Sequence, residues 1–449
     1  MSAVTEPSLA PARTARSFHD RYFCVVLFAI AAYAMTGKGF AYAGIPPIFP
    51  GEMILAAGLL TFAWPRPSPA VFFNLPHLIL IAMIGWVLFR TIPFIGVYKV
   101  DALRDSVIVV YGLYALIVAN LILEKPSRID LAVGLAGRFF SIYGFCLLWL
   151  YITQSVVGSH MPVWPVSEAP FLVVRGGEAA VHLSAAAVFA LLGLKRFSPL
   201  WILMLLVSVA FISAISRGGM LSIVIPVFLA AVLSGRIKPL LGITLVMIPV
   251  ITVLYVTDVE ISVPQTDRTI TVSQVVDNTI SIVGSSETKT LDGTKEWRLR
   301  WWNTIVDYTF HGPYFWTGKG FGINLAEADG FNLTPGQDSS LRSPHNGNMT
   351  ILARAGIPGL ILWIALNGSW VAMMLRSVVI SRLRGHRNWS SLFIFVLCYM
   401  LAALIDASFD VALEGPMIGI VFWVMIGFGV ALTMTYRQLS SGRRDGGQP

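Results

Sequence analysis

The chain has 449 residues, of which 56% are hydrophobic and only 12% charged, with a formal net charge of +8 and a mean hydropathy of +0.72. Soluble domains carry about a quarter charged residues, so this balance excludes a soluble enzyme and describes an all-α polytopic membrane protein. The surplus of positive charge does not indicate nucleic acid, because the basic residues fall in short loops between apolar runs.

The first apolar run, from about Tyr22 to Met35, follows Arg13, Arg16 and Arg21. No small-residue cleavage site follows it, so it reads as a retained span and not a signal peptide. With about 20 residues needed to cross hydrocarbon, the sequence predicts about twelve spans. Their cores lie at 22–36, 51–64, 76–92, 105–122, 134–155, 179–194, 198–214, 218–234, 239–257, 358–375, 390–406 and 416–436. Only Ser216-Arg217-Gly218-Gly219 divides 198–234. Alternate loops carry Arg66; Lys125 and Arg128; Lys195 and Arg196; Arg236 and Lys238; Arg376, Arg382, Arg384 and Arg387; then Arg437, Arg443 and Arg444. That alternation places both termini in the cytoplasm. Residues 1–21 and 437–449 read as cytoplasmic tails, 22–257 as nine spans, 258–344 as a polar outer subdomain, and 345–436 as a His-bearing helix with three further spans. Cys24, Cys146 and Cys398 each lie inside an apolar run and read as packing residues.

The candidate chemistry gathers in the outer loops. Arg90, Lys99 and Arg104 put positive charge on the side where the charge rule disfavours it. The 156–178 loop brings His160, Trp164, Glu168, Arg175 and Glu178, a mixture suited to sugar faces and hydroxyls. Arg217, between two apolar spans, is a fixed cation for a phosphate at membrane level or a snorkelling span end. Gly218 and Gly219 would allow a ligand close to the backbone. The long loop opens with a Thr/Val/Ser-rich stretch, 261–290, that fits strand or coil. From Lys295 to Phe310 an amphipathic helix carries Trp297, Trp301 and Trp302, a density suited to a membrane interface. Arg298 and Arg300 on that helix face different sides, so at most one points into a given site. Gly318-Lys319-Gly320-Phe321-Gly322 lacks the spacing of a phosphate loop and reads as a flexible turn. Glu327 and Asp329 read as solvated acids, and no cluster has metal-ligand spacing.

Ser343-Pro344 is a helix-start pattern, with Ser as cap and Pro at the first helical position. It predicts His345 and Asn346 in the first turn, where free amides attract anions and favour a neutral imidazole. A surface His on a capped helix start has the same sequence. Asp406, Asp410 and Glu414 follow at four-residue spacing and would share one helix face. They would pair with an Arg, bind sugar hydroxyls, or simply end a helix in solvent.

His345-Asn346, nine residues, Gly356, two residues and Gly359 resemble the H-N-x9-G-x-x-G signature of the bacterial O-antigen ligase and O-antigen polymerase superfamily. Ser216-Arg217-Gly218 resembles that superfamily's Ser-Arg-Gly/Ala motif. Trp297-Arg298 with Trp301, followed by the 318–322 glycines, is similar to its Arg/Trp helix and Gly-rich turn. The resemblance runs over about residues 80–436. It implies a GT-C-like, metal-independent, inverting glycosyltransferase of the bacterial inner membrane, with its active site facing the periplasm. The implied donor is an oligosaccharide or polysaccharide on undecaprenyl diphosphate. The implied acceptor is a lipid A-core in a ligase or another glycan in a capsule or exopolysaccharide polymerase. Carried over by motif, His345 would be the base, and Arg217, Arg298 and Asn346 would hold the diphosphate. Arg300, Arg175, Arg90, Asp406, Asp410 and Glu414 would support them, and no cofactor is implied. The 175–182 stretch lacks the Asn-rich motif of many members.

A twelve-span secondary transporter or a lipid-linked glycan flippase would share this span count. Transporters show repeated halves and ionisable residues at mid-membrane, whereas here such residues gather beside one long outer loop. A structural scaffold gives no reason for Arg217.

Overall fold

The computed structural model describes residues 17–64, 67–239, 241–242, 261–262, 269–270, 289–331 and 341–445. Helix α1 (Phe18–Thr36) starts at a capping box: the Ser17 hydroxyl accepts the Asp20 N–H, and the Asp20 carboxylate accepts the Ser17 N–H. A short α2 (Lys38–Ala41) and α3 (Pro50–Ala63) follow. Helix α4 (Leu75–Tyr98) leads into α5 (Val100–Val110) and α6 (Leu113–Glu124), which are bent by 42° at Tyr111-Gly112. Next come α7 (Arg128–Val157), α8 (Gly176–Leu191), α9 (Pro199–Ile215) and α10 (Arg217–Ser234). After the long loop, which carries α11 (Lys289–Val306) and the short α12 (Leu325–Ala328), the chain closes with α13 (Gly347–Leu383), α14 (Arg387–Ala407) and α15 (Pro416–Asp445).

Seven of these helices are long and apolar enough to cross a membrane: α1, α4, α7, α10, α13, α14 and α15. The bent pair α5–α6 makes an eighth, and α3, α8 and α9 are shorter apolar helices. The protein is therefore a helical, multi-pass membrane protein. The predicted core 239–257 lies outside the described residues, apart from 239 and 241–242. Helix α15 runs through the bundle, buried along nearly all of 417–432. Around it Trp363, Trp370 and Trp423 fill the core, and each indole N–H finds an acceptor: Asn348 Oδ1, Ile426 O and Ile108 O. At the end of the bundle where α1 begins, Asp20 pairs with Arg128 at 2.9 Å and Lys125 at 2.8 Å, while Glu124 binds Arg128 at 2.7 Å. Arg128 is nearly fully buried there, so its charge is met by two carboxylates.

The long loop builds a second, smaller core at the opposite end. Trp301, Ile305, Leu325 and Ala326 pack with Leu352, Ala353 and Ile357 of α13. Trp301 stacks on Phe331 at 5.3 Å, and Trp302 donates its indole N–H to Pro344 O at 2.8 Å. These tryptophans therefore contact the loop's own core and the start of the His-bearing segment. Of the 261–290 stretch the structure describes one antiparallel pair, Ile261–Ser262 with Thr269–Ile270, and the first two residues of α11.

The expected helix start at Ser343-Pro344 is not observed. Helix α13 begins at Gly347, and its cap is Asn346, whose Oδ1 accepts the N–H groups of Asn348 at 2.9 Å and Met349 at 3.2 Å. His345 lies outside the helix with φ 51°. Ser343 and Pro344 serve elsewhere: Ser343 bonds to the Glu414 carboxyl group, and the Pro344 carbonyl accepts from Trp302. The helix is broken by a kink at Gly356 (φ 68°, ψ −169°), just ahead of the expected start of its span.

Candidate functional site

Three helix starts converge on the stretch that leaves α14. Gly177 of α8 lies against the Asp406 carboxylate. A Cβ at Gly218 of α10 would come 2.7 Å from Phe409 Cβ, and one at Gly347 of α13 would come 3.4 Å from the Ala407 carbonyl. The contacts at Gly177 and Gly218 need a residue without a side chain, whereas a Cβ at Gly347 would make an ordinary contact. Gly218 packs against Phe409, and Gly219 against Ala180 and Ser216. Free N–H groups and the positive ends of three helix dipoles meet at this corner, which makes it favourable to anions.

His345 and Asp410 form its centre. His345 Nδ1 is 3.0 Å from Asp410 Oδ1, and the Val411 N–H donates to the same oxygen at 2.8 Å. With Nδ1 donating to the carboxylate, Nε2 is left as the acceptor nitrogen. The left-handed backbone of His345 is an uncommon conformation for a residue with a side chain, held here by the neighbouring contacts of Pro344 and Asn346. Arg175 Nη1 lies 3.8 Å from Asp410 Oδ1. Burial pushes the Asp410 carboxyl up, but the bond to His345 and the Arg175 guanidinium outweigh it and bring its pKa down to about 2.

Arg298 reaches in from α11 and donates from Nη1 to the Phe409 carbonyl at 2.8 Å, leaving its Nε buried without a partner. Burial, and then the charge of Arg217, lower its pKa, while Asp410 acts the other way. Arg217 is the first residue of α10, and the Ser216 hydroxyl caps that helix through the Gly219 N–H at 3.0 Å. Arg300 is exposed on the other side of α11. Of the two arginines, Arg298 alone meets the 409–410 segment.

The remaining expected residues have other surroundings. Asp406, Asp410 and Glu414 do not share a helix face, because α14 ends at Ala407 and Glu414 lies in a separate turn, Ala412–Glu414. Asp406 is buried against the start of α8. Glu414 accepts from Thr350 Oγ1 at 2.7 Å and from Ser343, and burial raises its pKa above the ordinary carboxylate value. Asn346 spends its Oδ1 on the α13 cap. Arg90 donates from Nε to the Thr317 carbonyl at 2.8 Å, holding the Gly-rich turn and not the His345 corner. In the 156–178 loop, the Trp164 indole N–H goes to Gly39 O at 2.6 Å and His160 is exposed. That loop delivers Arg175 and the buried Glu178 to the corner, and its aromatic residue holds the chain after α1.

The Gly-rich turn is pinned, not flexible. At the Gly356 kink it supplies the hydrogen bonds that α13 lacks: Ile357 N–H donates to Phe315 O at 2.8 Å, Lys319 N–H to Ala353 O at 2.7 Å and Gly320 N–H to Arg354 O at 3.0 Å. A Cβ at Gly356 would sit 2.7 Å from Phe315 O, so backbone meets backbone at this point. Asp329 is likewise not solvated. It is paired with Lys319 and accepts the Trp301 indole N–H at 2.7 Å.

Sequence reasoning missed two groups. One is the ion cluster beneath the turn: Asp105 on α5 binds Arg354 at 3.0 Å, Arg342 at 3.2 Å and the Gly322 N–H at 3.0 Å. Arg354, about two turns into α13 and just ahead of the predicted 358–375 core, could have been noticed as a charge beside hydrocarbon. The other is Lys38, which had no motif to mark it.

Residues 202–364 match the family model described as O-antigen ligase, a stretch that takes in Arg217, Arg298, His345 and the Gly356 kink, while Lys38, Arg175 and Asp410 lie outside it. The comparison with curated proteins returned no match. With the motif residues in order along that stretch and their side chains at one corner of a helical membrane bundle, the match over residues 202–364 supports the resemblance to the O-antigen ligase and polymerase superfamily.

Proposed function

We propose that the protein moves a glycan from undecaprenyl diphosphate to an acceptor hydroxyl at the periplasmic face of the bacterial inner membrane. The observation that carries this reading is the His345–Asp410 pair set among three helix starts and three arginines. In the proposed reaction the acceptor oxygen attacks the first sugar carbon from the face opposite the diphosphate, so the product is inverted. The bond from that carbon to the diphosphate oxygen breaks. His345 Nε2 takes the hydroxyl proton, while Asp410 holds the ring and offsets its developing charge. Arg217, Arg298 and Arg175 stabilise the charge growing on the leaving diphosphate, a large electrostatic contribution in a site of this kind. These cations and helix dipoles do the work a metal would otherwise do. The alternation of basic loops, read as an even span count with both termini in the cytoplasm, supports a periplasmic corner. The close fit to the H-N-x9-G-x-x-G spacing favours a ligase with a lipid A-core acceptor over a polymerase.

The test is turnover by purified protein given an undecaprenyl-diphosphate glycan with either lipid A-core or a second lipid-linked repeat. His345→Ala is expected to fold and to lose transfer by about 10²–10⁴-fold, the usual contribution of a positioned base. Full turnover by that variant removes His345 as the base. The acceptor consumed decides between ligase and polymerase.

A further inference from the structure

A fourth cation reaches the corner from the start of the chain. After α1 the backbone pairs in parallel with the 156–178 loop: Val173 N–H donates to Thr36 O at 3.1 Å and Lys38 N–H to Val173 O at 2.9 Å. Gly37 and Gly39 allow this, because each lies too close to a carbonyl of that loop, Val173 and Phe171, for any side chain. The pairing sets Lys38 beside the residues that lead into Arg175 and α8. Lys38 is half-buried, and the charged groups acting on its ammonium are Arg175, Glu178 and Asp410. Burial and then Arg175 lower its pKa, against the opposing effect of the two carboxyl groups.

The cations therefore form two pairs around one committed carboxylate. Arg217 and Arg298 flank Phe409, and Lys38 and Arg175 lie toward α2 and α8, with Asp410 in reach of both pairs. Asp410 already serves His345, and the buried Arg298 Nε has no acceptor. A buried donor without an acceptor and like charges held close together suit this corner to an anion. Two linked phosphates are an anion with two charge centres, one for each pair.

We propose that Lys38, with Arg175, binds one phosphate of a diphosphate ester whose other phosphate is held by Arg217 and Arg298. This deepens the transferase reading, since the diphosphate would be that of the lipid-linked donor. Lys38 acts as a binding residue and not as the base.

The first measurement is calorimetric binding of inorganic pyrophosphate to the purified full-length protein, which needs no turnover. Wild type is expected to bind, Lys38→Met to bind roughly tenfold more weakly, and Lys38→Arg within about threefold of wild type, as for a lost or retained charge contact. The second is steady-state transfer, where Lys38→Met is expected to raise KM for the lipid-linked donor with kcat and acceptor KM nearly unchanged. Absence of pyrophosphate binding by wild type, equal binding by Lys38→Met, failure of Lys38→Arg to restore it, or a rise in acceptor KM alone would each overturn the assignment. Lys38-dependent pyrophosphate binding by a protein that transfers no glycan would uphold it and remove the transferase reading instead.

Discussion

Replacing Gly356 by Ala tests whether the kink in α13 is imposed by the Gly-rich turn. Its backbone, at φ 68° and ψ −169°, lies in a region open in practice only to glycine, which costs another residue about 1–3 kcal/mol. A Cβ there would also stand 2.7 Å from Phe315 O, 2.8 Å from Gly318 N and 3.0 Å from Thr317 N. None of these backbone atoms can withdraw without weakening the bonds from Ile357, Lys319 and Gly320 that tie the turn to the helix. At about 0.5–1.5 kcal/mol per bond, loss of one or two brings the expected destabilisation to about 1.5–6 kcal/mol. Gly368→Ala is the internal standard, since it sits in the same helix with no atom within 4 Å of the new methyl group. It is expected to be neutral or up to about 1 kcal/mol stabilising. Thermal unfolding of both variants in the same detergent measures the difference. A Gly356→Ala protein within about 1 kcal/mol of Gly368→Ala would refute the view that this close approach holds the kink.

Asp410→Asn keeps the size of the side chain but removes the charge that orients His345, so transfer is expected to fall by about 10²–10⁴-fold. The same variant leaves four cations less neutralised, and pyrophosphate binding is expected to tighten; weaker binding would contradict the charge assignment. Asp410 is held down to about 2 from an ordinary 3.8. A depressed carboxyl stabilises the fold above its ordinary value and loses that contribution as pH falls through its folded one. The stability gap between wild type and Asp410→Asn, read by thermal unfolding, is thus expected to hold above about pH 4 and to close toward pH 2. Asp105→Asn removes the carboxylate paired with Arg354 at 3.0 Å, a side chain 1% exposed whose hydrogen bonds otherwise go to the carbonyls of Ile323 at 3.0 Å and Gly320 at 3.4 Å. Stranding a buried charge costs about 3–5 kcal/mol, and an unchanged melting temperature would show that the Asp105 cluster does not anchor the turn.

The placement of most elements was legible because long apolar runs have one stable solution in hydrocarbon. Helices are observed at eleven of the twelve predicted cores, with the core at 239–257 outside the described residues except at its edge. Arg217 and Arg298 were visible for the same reason, as charges whose neighbours are apolar or aromatic. What failed was local grammar. Ser343-Pro344 has the residues of a helix start, yet Ser343 is drawn to Glu414 and Pro344 to Trp302, and Asn346 caps the helix. The three acids at four-residue spacing would share a face only if α14 continued past Ala407. The Gly-rich turn and Asp329 read as mobile and solvated because their partners, Ala353, Arg354 and Trp301, are distant or unmarked in sequence.

The amino-acid sequence by itself determined that this chain lives in a membrane and where most of its helices lie, because hydropathy and charge act locally and add along the chain. Only the tertiary structure decided that Asp410 faces His345, that Arg298 and not Arg300 turns inward, and that Lys38 joins Arg175 from the far end of the chain. Those outcomes depend on which helix starts pack against residues 406–410. That packing is set by glycine contacts and buried polar bonds between segments far apart in sequence, which no single stretch encodes.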